Sequence, residues 1–246
     1  INLSNFAVEM EVVKDFVIQT GISYRTLRSA SDSFSLDYYT QIPDALNPLG
    51  TVESEVKQAE TGIQLEWTPN RKTIWYGVER ADVTSDYTRL FLNYSAGMKG
   101  LLQSDFDYQK LQFYYRQPIT IGPLGRTNVI VEVGKTFGEV PLGLLSVIPG
   151  NQTYFTIENT FSNLDYYEFV SDEYATFQWT HNFNGKIFAR IPGLRKLNWR
   201  EIIGVKGVYG RISDANKAIN ASGLDYQAPT DGYWEYNAGI GNIFKI

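Results

Sequence analysis

Apolar and polar residues alternate one by one along much of the chain, the period expected of β-strands whose two faces meet different surroundings. Phe6, Val8, Met10 and Val12 share one face of the first run, and Ala7, Glu9 and Glu11 share the other. A turn at Lys14-Asp15 separates it from a second run, Phe16 to Leu27. Ile63, Leu65 and Trp67 oppose Gly62, Gln64 and Glu66, and Pro69-Asn70-Arg71-Lys72 then offers turn chemistry before a run from Thr73 to Arg80. Further on, Leu111, Phe113 and Tyr115 oppose Lys110, Gln112, Tyr114 and Arg116, and Val129, Val131 and Val133 alternate with Asn128, Ile130 and Glu132. The alternation is strongest around Phe177. There Ala175, Phe177, Trp179, His181 and Phe183 face away from Tyr174, Thr176, Gln178, Thr180 and Asn182, which are polar but uncharged. Ile203, Val205, Gly207 and Tyr209 oppose Gly204, Lys206, Val208 and Gly210, with glycines where a curved wall can bend, and a last run spans Tyr233 to Ile246.

Strand length separates a membrane barrel from a soluble sandwich. Strands of soluble proteins average roughly 5 to 6 residues, whereas a tilted membrane-spanning strand needs about 9 to 11. Phe16 to Leu27, Ser104 to Gln117 and Phe169 to Asn184 all read as long strands. The pattern therefore predicts an all-β fold, a partial antiparallel transmembrane β-barrel of roughly ten or eleven long strands with long surface loops. The stretch from Ser29 to Glu60, with Pro43, Pro48 and Gly50, reads as one such loop. The expected alternation of short and long connections slips: the Gly122-Pro123-Leu124-Gly125 turn is short where a long connection is due, while Gly138 to Gln152 and Asp214 to Gly232 are both long.

Composition narrows the function classes. Of 246 residues, 15% are aromatic, including 17 Tyr, 14 Phe and 5 Trp, a load that suits strands and interfacial girdles. A large soluble β-core could carry the same load. There is no cysteine, which excludes disulfides, thiolate metal sites and cysteine catalysis. The 22 basic and 27 acidic residues give a net charge of -5, so a nucleic-acid partner lacks its electrostatic footprint. The chain has no apolar run of about 18 residues that could form a membrane-crossing helix. Its mean hydropathy of -0.26 still suits a barrel, whose strands dilute their apolar face by alternation.

The second half carries an ordered series of motifs. They are Gly138-Glu139-Val140-Pro141-Leu142, Ile148-Pro149-Gly150-Asn151, Tyr167-Glu168-Phe169-Val170-Ser171-Asp172-Glu173-Tyr174 and His181-Asn182-Phe183-Asn184-Gly185. Ile191-Pro192-Gly193-Leu194-Arg195-Lys196-Leu197, Trp199-Arg200-Glu201 and Gly239-Ile240-Gly241-Asn242-Ile243-Phe244 complete it. In these motifs the chain resembles an uncharacterised outer-membrane β-barrel family of Bacteroidota, often found behind an N-terminal carboxypeptidase-regulatory-like domain. The resemblance implies that residues 1–246 form a single β-barrel segment, a C-terminal fragment of a longer chain, in the bacterial outer membrane. It implies location more than mechanism, and no peptidase activity, because the regulatory-like domain is non-catalytic.

Few residues suggest chemistry. His181 is the only histidine, so a Ser-His-Asp triad or a multi-histidine metal site has little to build on; its place on an aromatic face reads as packing or an interfacial position. Asp165, Glu168, Asp172 and Glu173 could collect around a calcium ion if their loop folded back, yet no EF-hand spacing is present and a solvated loop is the simpler reading. Asp105 and Asp107 invite a glycosidase comparison that their spacing cannot support. Gly204 to Gly210 lacks the helix that a phosphate loop requires. Arg190, Arg195, Lys196 and Arg200 form the densest basic segment, interrupted by apolar residues, and fit either contact with acidic lipid head groups or a partner, or a loop of solvated charges that pair with Glu201.

The expectation is thus a non-enzymatic outer-membrane barrel acting as a pore, scaffold or assembly partner. It would have no catalytic, metal or cofactor site, with membrane lipid and an envelope protein as partners. It would turn Phe113, Val131, Phe177, Trp179 and Val205 toward lipid. The alternative is a soluble or surface-attached β-sandwich binding glycans, which would bury that same set between two sheets. A barrel with a hydrolase site is a third possibility and needs carboxylates clustered on one rim.

Overall fold

A computed structural model describes residues 2–243 apart from 30, 32–33, 78, 85 and 154–156. Nine strands form one antiparallel sheet: β1 (Asn2–Val13), β2 (Phe16–Arg28), β3 (Glu55–Trp67), β4 (Arg89–Gly97), β5 (Tyr108–Thr120), β6 (Arg126–Phe137), β7 (Glu173–Asn182), β8 (Arg200–Arg211) and β9 (Tyr233–Gly241). Each pairs with the next in chain order, so the sheet is a simple meander, and β1 and β9 are its open edges among the described residues. The strands run from 9 to 13 residues, the long class that the alternation predicts.

The expected count of ten or eleven strands is corrected to nine in the sheet, and the excess has a local cause. Thr73–Tyr76 and Glu79–Asp82 pair with each other, Thr73 opposite Asp82, as a small hairpin outside the main sheet. The positive φ of 67° at Asn70 turns the chain out of β3 before that hairpin begins. With the hairpin removed from the count, the two short turns fall at the same end of the sheet, which also carries two long connections. One end of the sheet carries 14–15, 68–88, 121–125 and 183–199; the other carries 29–54, 98–107, 138–172 and 212–232. The short Gly122–Gly125 turn is then where it belongs. Boundaries shift elsewhere too: Ser104 to Gln117 becomes Tyr108–Thr120, and Phe169 to Asn184 divides into Val170–Ser171 and Glu173–Asn182. The last run is a strand only to Gly241, and residues 244–246 lie outside the described residues.

The two faces differ in an unusual sense. On one, Phe6, Val8 and Met10 are more than half exposed, as is Trp234. Phe113, Val131, Phe177, Trp179 and Val205 all share this apolar face, and no second sheet packs on it among the described residues. That arrangement overturns the sandwich alternative, which needed the set buried. On the other face Gln178, Lys206 and Glu235 are buried at 5–6% exposure. Apolar out and polar in is the reverse of a water-soluble sheet.

The register also climbs. One cross-strand row links Trp67, Leu90, Tyr115, Val131, Phe177, Gly207 and Trp234. Trp67 is the last residue of β3, at the end with the 68–88 connection, whereas Trp234 is the second residue of β9, at the opposite end. Strand ends are therefore staggered along the sheet, as inclined strands in a curving wall require. Two glycines let large rings lie flat against this wall. A Cβ on Gly134 would come within 2.4 Å of the Tyr174 ring directly across from it, and one on Gly207 within 2.6 Å of Trp234.

Candidate functional site

The polar face is exposed on β1 but covered toward β9. In the connection from β6 to β7, residues 138–153 and 157–172 fold across the polar side of β5 to β9 as a strap. Ile148, Phe161, Leu164 and Phe169 of the strap pack with Tyr174 and Val208 of the wall in one buried cluster, and Tyr233 of β9 closes against it. The Phe161 and Phe169 rings meet Tyr233 edge-on, at 6.1 and 5.3 Å between centroids.

Charged wall residues grip the strap's backbone. The Glu235 carboxylate accepts the amide N–H of Ser162 and of Asn163, both at 2.8 Å, and also the Tyr233 hydroxyl at 3.0 Å. Lys206, opposite Glu235 in the register, donates Nζ–H to the Thr160 carbonyl at 2.6 Å. Two opposite charges buried side by side are thus satisfied by one piece of main chain. Nearby, Glu158 accepts from Asn128 Nδ2 at 3.1 Å and lies 3.4 Å from Arg116 Nε. Alternation places Lys206 on the polar face without giving it or Glu235 a role, although lone charges on strand faces otherwise filled with Gln, Thr, Asn and Gly are a signal.

At the end carrying 29–54, 138–172 and 212–232, these three connections build a second core from Tyr38, Val140, Leu142, Leu144, Leu145, Val170 and Ile212, closed against the wall by Val56 and Tyr108. A short helix α1 (Asp214–Ala218), with Ser213 accepting from the Asn216 amide, positions two asparagines inside it. Asn216 Oδ1 accepts Val140 N–H at 2.8 Å and Asn220 Oδ1 accepts Leu142 N–H at 2.6 Å. Asp172 Oδ2 accepts from Ser213 N–H at 2.7 Å and Asn216 Nδ2 at 2.8 Å. Burial, reinforced by the Asp105 carboxylate and a hydrogen bond to Glu53, pushes the Tyr38 phenol far above its ordinary range, so it stays protonated as a donor.

The acidic group does not converge on a cation. Asp172 is inside this cap, while Glu173 points to the opposite face and pairs with Lys135 and Arg211. Among the described residues no cluster of three or more His, Cys, Asp or Glu could hold a metal ion. Asp105 and Asp107 use their side chains on the backbone amides of Lys57 and Lys99. His181 is a packing residue. It stacks on Trp179 at 6.0 Å, its Nε2–H donates to the Leu124 carbonyl at 3.1 Å, and its Nδ1 shares a hydrogen bond with Thr127 Oγ1 at 2.6 Å.

The basic segment occupies the opposite end, in the 183–199 connection and the first residue of β8. Arg190, Arg195, Lys196 and Arg200 are all exposed. Arg195 and Arg200 line a cavity of about 440 Å³ with Phe188, Leu194, Trp199 and Asn242; Arg190 and Lys196 lie on the same connection outside it. The expected pairing with Glu201 is absent. Glu201 is buried and accepts the Phe188 amide, and its other oxygen has no hydrogen-bond partner.

Comparison with known proteins places this geometry. The fold is similar to that in a crystal structure of BamA from Haemophilus ducreyi lacking POTRA domains 1-3, at a TM-score of 0.50 and 10% identity. The likeness covers 84% of this chain and 41% of the BamA chain, so the chain spans about two-fifths of that protein, and at such identity it shows the fold alone. No curated protein matches the sequence. A family model described as the C-terminal domain of a family of unknown function, DUF5686, matches residues 3–214. The match takes in the first half, where the motifs are sparse, and stops before Gly239 to Phe244, which the motif series had included. With most of its length matched, the chain belongs to the DUF5686 C-terminal domain family.

Proposed function

We propose that the chain is a stretch of outer-membrane β-barrel wall. Its bare apolar face meets lipid, and its interior is filled by its own strap. The role is that of a non-enzymatic scaffold or assembly partner rather than an open pore. The observation that carries this reading is the inverted polarity of the sheet, with Phe6 at 67% exposure and Trp234 at 55% on one face and Lys206 and Glu235 at 5% under the strap on the other. Water penalises such an exposed apolar sheet and hydrocarbon does not. Strand length and stagger support the same conclusion, as does the barrel fold of the BamA structure. The end with the cap of long connections faces outward, and the end with the Lys14-Asp15 and Gly122–Gly125 turns faces the periplasm.

The test is reconstitution of the full-length protein in vesicles whose acyl chains carry bromine, using a variant that keeps Trp179 as its sole tryptophan. Strong quenching of Trp179, with no steady conductance across the bilayer, is the expected result. A protein that stays dispersed without detergent and is not quenched sinks the wall reading. Steady open-channel current sinks the filled interior.

A further inference from the structure

The basic connection between β7 and β8 carries charge that nothing in the fold neutralises. Residues 183–199 contain Lys186, Arg190, Arg195 and Lys196 and no acidic residue, and Arg200 follows directly. Among the described residues, ion pairs join Arg25 to Glu60, Arg71 to Asp82 and Arg89 to Glu66, but none involves these five cations. Ile187, Ile191 and Leu197 are also exposed on the same segment, at 42–46%. Exposed aliphatic residues interleaved with unpaired cations are costly in water and suit a lipid interface, where each group finds its own layer.

Arg200 leaves β8 on the polar side of the rim, and the connection before it reaches onto the apolar face. Glu201 shares that face with Ile203 and Val205, and by accepting the Phe188 amide it draws the start of the connection over it. The cavity beside it is lined by both Arg195 and Arg200 and by Phe188 and Trp199, whose rings are 6.2 Å apart. Guanidinium forks match phosphate oxygens, and an aromatic wall suits the glycerol and upper acyl region beside them.

We propose that this rim cavity binds the phosphate of an anionic membrane phospholipid, held by Arg195 and Arg200, with Ile187, Ile191 and Leu197 set toward the acyl chains. The inference rests on the membrane-wall reading and adds to it a lipid class and a place. Arg190 and Lys196 supply long-range attraction to the same charged surface.

The test uses the full-length protein reconstituted in vesicles of phosphatidylcholine alone or mixed equally with phosphatidylglycerol. Insertion is read by heat-modifiable gel migration, and retained lipid by native mass spectrometry. The expected result is insertion into both, with phosphatidylglycerol retained selectively. Arg195→Gln with Arg200→Gln should lower that selectivity by roughly 25-fold, about fivefold per guanidinium. Insertion into both without selective retention, or selectivity unchanged in the double variant, overturns the lipid site and leaves the wall reading intact. Failure to insert into either vesicle overturns the wall reading and the site with it. Displacement of phosphatidylglycerol by an equal concentration of inorganic phosphate overturns the lipid assignment in favour of a free-anion site.

Discussion

Strands β7, β8 and β9 present opposite chemistries on opposite faces, and only one of those faces is covered by the protein. Phe177 and Trp234 lie uncovered on one, while one residue away Gln178 and Glu235 are buried on the other, Glu235 against the strap. In water the first face would need a partner and the second would not. The chain has done the reverse, which makes sense if hydrocarbon covers the first and the second would otherwise enclose a water-filled space. The comparison teaches that exposure and polarity must be read together: a buried lysine is informative here because a phenylalanine on the same sheet is not buried.

The sharpest way to break the comparison is to loosen the covered side. Phe161 is fully buried between the strap and Tyr233. Phe161→Ala should cost about 3–5 kcal/mol of stability, the range for emptying an aromatic site in a packed core. Urea unfolding of the lipid-reconstituted protein measures it, together with protease cleavage inside 138–172 while the wall stays intact. A cost below roughly 1 kcal/mol would mean that the strap is a surface loop resting on the wall.

The uncovered side has its own test. Phe177 lies mid-row between Val131 and Gly207 on the apolar face. Phe177→Arg should cost about 2–4 kcal/mol when the protein is in a bilayer, because a guanidinium near the midplane loses its hydration. Stability in vesicles measures this, and a change within about 0.5 kcal/mol, as on a water-exposed surface, would refute lipid contact at this position.

What was legible in the sequence follows the same division. Alternation tells which residues share a face, so the apolar-face set Phe113, Val131, Phe177, Trp179 and Val205 and most strands could be read directly. It cannot tell a strand of the wall from a hairpin of similar composition, so the run from Thr73 to Arg80 reads as a strand although it belongs to a hairpin outside the sheet. Nor does it say what covers a polar face. The segment 138–172 reads as a loop because its apolar residues, Val140, Leu142, Ile148, Phe161 and Leu164, follow no single period. They are buried through contacts with β7, β8 and the other long connections, which are distant in sequence. The basic segment was visible as composition. Only the fold showed that Arg195 and Arg200 share a cavity and that Glu201 turns away from them.

The smallest expected effect is also the most specific to how the strap is held. Glu235→Gln keeps the size of the side chain and removes its charge. Both carboxylate oxygens accept main-chain N–H groups, Oε1 from Asn163 and Oε2 from Ser162. A glutamine can offer only one acceptor oxygen, so its NH₂ must face one of those donors, whichever way the amide is turned. Lys206 at the same time loses the negative charge opposite it in the register and keeps only the Thr160 carbonyl. The combined cost should be about 1.5–3 kcal/mol, that of a charge-assisted hydrogen bond lost in a buried place, with faster cleavage between Glu158 and Asn163 as the local sign. Unchanged stability and an uncleaved strap would mean that apolar packing around Phe161 and Leu164 holds the strap alone, and that the Lys206 and Glu235 charges serve to line the interior rather than to close it.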